Sequence, residues 1–337
     1  MQYKGIDIVK FIMALFVVIL HTHPLYAVNR TADFLTADVI ARVAVPFFFA
    51  ATGFLLEKQI SGHRAGVRET IVRYVWKVLK LYCIWTVIYM PVILYNKFIV
   101  NGETAAYGIF TLIRDFIFAG SYGQLWYLPA AAVGLVVVFT LRKYLGEGKT
   151  ALLLLALFLM GLATQSYFGL ASALVSPDGI LWQGMKAVKK VMVTCRNGVF
   201  FGSIFIYMGT WIARRDIKIK VWEAVSGLAI STLLLCVEAA YLWSIGSVRA
   251  KDMYLLLLPA VFFLMLLALQ IQVGWDTVYL RKTSTNIYLV HTTFKFIYRE
   301  FVGERNENGI PLFLFTLAGS FAAVYLIERF ERYRRRA

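Results

Sequence analysis

About ten stretches of apolar residues, most of them near 20 residues long, punctuate this chain and leave few folds open to it. They fall at about 8–28, 39–57, 74–96, 125–141, 151–170, 198–213, 221–244, 253–273, 284–301 and 310–328. A stretch of that length wound into an α-helix crosses the hydrocarbon layer and keeps its backbone hydrogen bonds to itself. Composition agrees, with 16% charged residues against about 25% in soluble domains. The expected fold is an all-α integral membrane protein, a bundle of about ten transmembrane helices. No small-x-small cleavage site follows the first run, so it reads as a retained helix and not a signal peptide. The stretch 105–118 (AAYGIFTLIRDFIF) is too short and too charged to span. It is expected to be an interfacial or re-entrant helix between the third and fourth spans.

The net charge of +16 does not point to nucleic acid, because the basic residues lie between apolar runs and at the C-terminus, where topology signals sit. An even number of spans puts both termini on one side. That side would hold Lys4, Lys58, Arg64, Arg68, Arg73, Arg142, Lys143, Lys149, Arg214, Arg215, Lys218, Lys220, Arg281, Lys282 and the arginines from Arg329 to Arg336, more cations than the other side. Both termini are therefore expected in the cytoplasm. The loop 171–197, with Lys186, Lys189, Lys190 and Arg196, runs against this, but long loops weigh less in the rule. The chain then divides into a transmembrane domain, 1–328, and a basic tail, 329–337. That tail reads either as a contact with anionic lipid or as a linker to a soluble domain outside this chain. Cys83, Cys195 and Cys236 lie in or beside apolar runs without a CxxC spacing and read as buried thiols. There is no Walker loop, GxGxxG turn, HExxH pair, Cys/His cluster or GxSxG elbow, so neither an ATP-driven pump nor a metal is expected. An inverted repeat, which a transporter would carry, is not visible.

Ionisable groups inside lipid are costly, so each one within a span is a candidate site. The first span offers Asp7, Lys10 and His21. From Lys10 to His21 is three helical turns, about 16 Å, so the two share a face. The same residues also allow a structural reading, with Asp7 and Lys10 as an i,i+3 pair at the interface and His21 in a buried hydrogen bond. His291 is a second histidine within a span and can exchange protons near neutral pH. Glu238 lies far from either end of its span and needs a cation or a proton. Arg42 and Arg196, near the outer ends of spans, are its natural partners, and Asn197 adjoins Arg196. On the inner side Arg73, Lys77 and Lys80 share one face of the third span. They suit phosphates, or else snorkel to headgroups.

These residues carry a family likeness. Asp7-x-x-Lys10-x(10)-His21 resembles the D-x-x-R-x(10)-H signature of the acyltransferase-3 family of membrane proteins, with lysine in place of arginine. Val45-Pro46-Phe47-Phe48-Phe49 through Gly53-Phe54 resembles that family's FF-x-x-SGF stretch, with Thr52 for serine. Lys77-x-x-Lys80 stands where the family has R-x-x-R. Gln124 to Leu128 resembles the aromatic start of the fourth span, and Ser284 to His291 resembles S-x-x-I-Y-L-x-H of a late span. Within the family, VPFFFAATGFLLEK and TCRNGVFFGSIFIYMG are most similar to the membrane half of the membrane-bound serine racemases of vancomycin resistance. In those proteins a cytoplasmic racemase domain carrying pyridoxal phosphate follows, and no such domain is present in this chain.

The resemblance implies a bacterial plasma-membrane enzyme that transfers an acyl group, acetyl being the simplest, from cytoplasmic acyl-CoA to an acceptor reached from outside. It implies His21 as general base, with Asp7 and Lys10 at the cytoplasmic end of the first helix. Arg73, Lys77 and Lys80 would hold the phosphates of acetyl-CoA, and Arg42, Arg196, Asn197, Glu238 and His291 would surround the acceptor. The acceptor would be a cell-envelope hydroxyl or a small molecule such as L-serine. The fused racemases imply an alternative, uptake of L-serine for that partner domain. A pure anchor would have polar-poor spans, which His21, Glu238 and His291 argue against.

Overall fold

The computed structural model describes residues 3–62, 66–174, 179, 182–184, 193–215, 217–303 and 309–334. Most of the loop 171–197 and the last three residues of the basic tail, 335–337, lie outside them. The described chain is helical. Helix α1 is Lys4–Thr22, α2 is Arg30–Asp33, α3 is Ala44–Gly62, α4 is Val67–Leu94 and α5 is Ala105–Phe118. They are followed by α6, Tyr127–Thr164; α7, Phe168–Leu174; α8, Ser203–Arg214; α9, Val221–Ser244; α10, Leu257–Gln270; α11, Val278–Val302; and α12, Ile310–Arg334. Wider π-helical turns at Phe34–Val39, Tyr95–Val100 and Gly198–Gly202 extend three of these. Six helices among the described residues are long and apolar enough to cross a membrane, and Gly198–Arg214 and Leu257–Gln270 are shorter apolar helices.

The lateral surfaces explain what solvent this chain expects. In α4 the buried residues are Thr70 and then Val78, Tyr82, Thr86, Tyr89 and Ile93, the last five spaced three and four apart along one face. Trp76 and Val87, on other faces, are each 69% exposed. The hydroxyl residues Thr70 and Thr86 thus turn inward while large apolar groups such as Trp76 and Val87 face outward, the arrangement that lipid favours. The protein is a multi-pass membrane protein on this ground.

Two expected spans, 125–141 and 151–170, correspond to two helices within the range of α6, the second ending at Thr164. They meet at a break at Gly146, whose φ of 74° and ψ of −177° are not helical but are open to glycine. Thr150 Oγ1 donates to the Gly146 carbonyl at 2.6 Å and helps close the break. The stretch 105–118 is a separate helix, α5, as expected of a segment too short to span. Tyr82 holds it by donating to the Phe116 carbonyl at 2.8 Å.

The contacts fall into two compact units, Met1–Phe48 with Ile219–Val237 and Pro259–Ala337, and Phe49–Lys218 with Glu238–Leu258. In the first, α1 packs on α11 and α12. Gly5 lets α1 approach the end of α10, where a side chain would collide with the Ala268 carbonyl and Ile271. In the second, α3 and α8 approach through Gly53, against Ile206, and Gly209, against Ala50. Small residues at a lipid-embedded interface allow this closeness and the dispersion energy that follows. Replacing Gly209 with leucine is expected to lower the melting temperature sharply in detergent. Gly62→Ala, where open space surrounds the position, should leave melting followed by size-exclusion chromatography unchanged. The same unit has an aromatic centre of Phe49, Trp126, Phe158, Phe201 and Phe205. At one end of it, buried Glu57 pairs with Arg142 at 2.8 Å, and Arg214 pairs with Glu147 at 2.7 Å.

Candidate functional site

The first unit brings two histidines together. His21 on α1 and His291 on α11, 270 residues apart in sequence, have ring centroids 5.1 Å apart. His291 is fully buried. Its Nδ1 lies 3.0 Å from the Ile287 carbonyl and 2.9 Å from the Tyr288 carbonyl. Both partners only accept, so Nδ1 must carry the proton, an assignment made from its neighbours. The lone pair of the neutral ring is then on Nε2, which is buried and makes no hydrogen bond. A proton-accepting nitrogen is thus held beside His21 in a dry environment.

The end of α1 is fixed by groups that the spans alone did not reveal. His23 closes the helix with φ 48° and ψ 61°, its N–H returning to the Ile19 carbonyl. Its Nδ1 lies 2.8 Å from Asp33 Oδ2, and Asp33 Oδ1 accepts the Leu25 N–H at 3.0 Å. Asp33 is buried, so a carboxylate clamps the turn that begins two residues after His21. A single acidic residue on the short helix α2 gives no signal of this in sequence.

Asp7 and Lys10 lie at the opposite end of α1 from His21, about 21 Å and 16 Å away along the axis. Asp7 is buried and accepts the Thr277 hydroxyl at 2.9 Å, and Lys4 Nζ donates to the Val273 carbonyl at 3.0 Å. These contacts join the start of α1 to the α10–α11 connection. Arg42 donates to Asp38 at 3.0 Å, and its Nε is buried without a hydrogen-bond partner.

In the second unit Arg73, Lys77 and Lys80 are all exposed along α4. Arg73 pairs with Glu69 at 2.6 Å, but both side chains are mostly in the open, where such a pair is worth little and yields readily to a phosphate. Asn197, expected beside a substrate, caps the helix that leads into α8. Its Oδ1 accepts the Val199 and Phe200 N–H groups, and its Nδ2 donates to the Thr194 carbonyl at 3.0 Å. Arg196 lies with its guanidinium 4.7 Å from the centroid of the Trp126 ring and its Nε 3.5 Å from Asp252 Oδ2.

Glu238, expected to find a cation or a proton, is held by neutral donors. Tyr167 donates to its Oε1 at 2.6 Å, the Leu255 N–H donates to the same oxygen at 2.6 Å, and the Leu256 N–H to Oε2 at 2.9 Å. A carboxylate in mid-helix thus collects the first free amides ahead of α10 and fastens the preceding loop. Among the described residues no group of three His, Cys, Asp or Glu is placed to hold a metal.

Comparison with known proteins follows the same lines. A family model described as an acyltransferase domain matches residues 3–329. A serine/alanine racemase of Enterococcus gallinarum is 30% identical over 292 residues, which cover 86% of this chain and 40% of that protein. An amino-acid racemase of Enterococcus faecalis is 29% identical over 263 residues, covering 78% and 35%, and a second from the same organism is 27% identical over 340 residues, covering 98% and 46%. The chain spans less than half the length of each of these relatives. No solved structure matches it.

Proposed function

Since the chain belongs to the family of membrane acyltransferase domains, whose model covers residues 3–329, we propose that it transfers an acyl group from cytoplasmic acyl-CoA, with acetyl-CoA the simplest donor. The acceptor is a hydroxyl or amine reached from the outer face of a bacterial plasma membrane. The transmembrane domain is 1–328, with about ten spans once the arms of α6 are counted separately. Both termini are cytoplasmic, and the basic residues from 329 form a tail or linker.

The observation that supports this most is the pairing of half-buried His21 with buried His291, ring centroids 5.1 Å apart. His21 takes the proton of the acceptor hydroxyl as its oxygen attacks the thioester carbonyl. The carbon–sulfur bond breaks, and the departing CoA thiolate takes the proton back from the imidazolium. An ester and free CoA thiol result. His291 Nε2 keeps a second proton acceptor beside that ring. Asp7 and Lys10 anchor the start of α1, and Arg42 offers a buried N–H to an anionic or polar acceptor. Arg73, Lys77 and Lys80 bind the donor's phosphates as a cluster of exposed cations.

Calorimetry with acetyl-CoA tests the donor role. The native chain in detergent is expected to bind, and Lys77→Ala/Lys80→Ala to weaken binding at least tenfold. Absence of binding by a well-folded native chain would remove acyl-CoA from the reading. The names of the racemase relatives favour a second reading, delivery of L-serine or a similar amino acid to a racemase domain joined to this one. Uptake of labelled serine by proteoliposomes, above that of empty vesicles, is its check.

A further inference from the structure

The charged groups that close one end of the second unit are not equally committed to it. Glu57 near the end of α3, Arg142 and Glu147 on either side of the break at Gly146, and Arg214 at the end of α8 alternate in sign within one cluster. Glu57 is the buried member, its side chain 7% exposed. Its Oε2 accepts from Arg142 Nη1 at 2.8 Å and its Oε1 from Nη2 at 3.4 Å, and Arg214 Nε lies 3.8 Å from Oε1. Without it two guanidinium groups would share a confined space with no anion between them, so Glu57 is structural.

Glu147 stands at the opposite extreme, with its side chain 54% exposed. Arg214 grips it as a fork, Nη1 at 2.7 Å from Oε1 and Nη2 at 2.7 Å from Oε2. Arg142 Nε donates to Oε1 at 3.3 Å, and the Tyr207 hydroxyl lies 3.3 Å from Oε2. Donors from α6 and α8 thus converge at the edge of the protein on an anion that is half in water. Arginine forks with a hydroxyl are what proteins present to phosphoryl groups. Once Glu147 turns away, Arg142 and Arg214 outnumber Glu57. Lys143 and Arg215, each next in sequence to one of these arginines, are exposed and add to a field that attracts anions.

We infer that Arg142, Arg214 and the Tyr207 hydroxyl form a binding site for a phosphate or diphosphate group, in which the Glu147 carboxylate is a tethered stand-in that such a ligand displaces. The tether decides the class of ligand. A free monocarboxylate offers only what Glu147 already offers, and it competes against a group held at an effective concentration of about millimolar or more. A phosphate brings about two negative charges and three acceptor oxygens, and a diphosphate brings more. A metal ion would be repelled by both arginines. Leaving the site costs Glu147 little, because an ion pair this open to water is weak. The phosphate can arrive on a soluble ester or as a lipid headgroup, and the recognition is the same. The site shares no residue with the α4 cations and needs neither acyl transfer nor amino-acid uptake, so its failure would leave both readings of the function as they are.

Calorimetric titration of inorganic pyrophosphate into the full chain in detergent tests it, with Lys77→Ala/Lys80→Ala present throughout so that the α4 cations do not contribute. Saturable binding is expected. It should become at least tenfold tighter in Glu147→Gln, which keeps the shape and removes the competing charge, and at least tenfold weaker in Arg214→Gln. Nanodiscs then separate the two sources. Pyrophosphate binding that is equal in phosphatidylcholine and phosphatidylglycerol indicates a soluble ester, and binding lost only in phosphatidylglycerol indicates a headgroup; both agree with the inference. Absence of saturable binding with and without Glu147→Gln would overturn it. So would binding that Glu147→Gln fails to tighten or that Arg214→Gln leaves unchanged, since the cluster would then only join helices. Should Arg214→Gln fail to fold, the effect of Glu147→Gln, made at a half-exposed position, decides the matter.

Discussion

Replacing His21 with alanine is expected to lower acyl transfer by about 10²–10⁴-fold, the usual contribution of a positioned general base. Such a loss alone would not separate a chemical role from a structural one, because His21 lies in the packed first unit, where α1 meets α11. Three further readouts make that separation. Binding of acetyl-CoA should survive in His21→Ala, since the cations proposed to hold its phosphates lie on α4. The melting temperature should fall little, because alanine keeps the helix propensity of α1. Exogenous imidazole, small enough to enter the space left by the ring, should restore part of the activity. Transfer that persists at the native rate in His21→Ala would remove the histidine from the mechanism. His291→Gln asks the companion question. Glutamine fills much of the ring's volume but supplies no basic nitrogen, so a loss here with normal folding would mean that Nε2 takes part in handling the proton.

The second large effect is on stability. Glu238→Ala is expected to lower the melting temperature in detergent by many degrees, because it strands the Leu255 and Leu256 amides and the Tyr167 hydroxyl together. Tyr167 and Leu256 are half-buried and Leu255 is exposed, so each donor left without a partner costs towards the low end of about 1–3 kcal/mol. Glu238→Gln separates charge from geometry. Its amide oxygen still accepts from one or two donors, so its loss should be the smaller of the two. Equal melting of Glu238→Ala and the native chain would show the carboxylate to be dispensable for the loop. A mutant that melts normally but no longer takes up amino acid would instead place Glu238 among the groups around the substrate, as the family resemblance implies.

The contrast between Glu238 and His21 shows where sequence reasoning stops. Both were recognisable as costly groups in apolar runs, because the price of a polar group in lipid follows from its own surroundings in the chain. His21 could also be tied to a motif on its own helix. The partners of Glu238 could not be read, because two of them are backbone amides of a loop 17 and 18 residues further on. A backbone amide has no residue type to search for. Asn197 teaches the same lesson from the other side. An asparagine next to an arginine at the mouth of a span looks like a ligand, yet its position just ahead of a helix makes it a cap.

What the sequence determined by itself was whatever depends on local repetition and charge. Legible there were the all-helical membrane class, the places of the apolar helices with ends displaced by as many as seven residues, the separate short helix at 105–118, and the polar groups that have to be explained. These follow from periodicity and transfer energy, which act over one or two helical turns. Tertiary structure alone decided which of those groups meet. It set His291 beside His21 across 270 residues and put its proton on Nδ1 through two carbonyls of its own helix. It closed the gap between two expected spans to a single glycine, and it left Asp252, in a loop with no pattern to mark it, facing Arg196 with one oxygen unmet. The physical reason is that a hydrogen bond or an ion pair is selected by position in space. Chain separation carries almost no information about it once helices have packed.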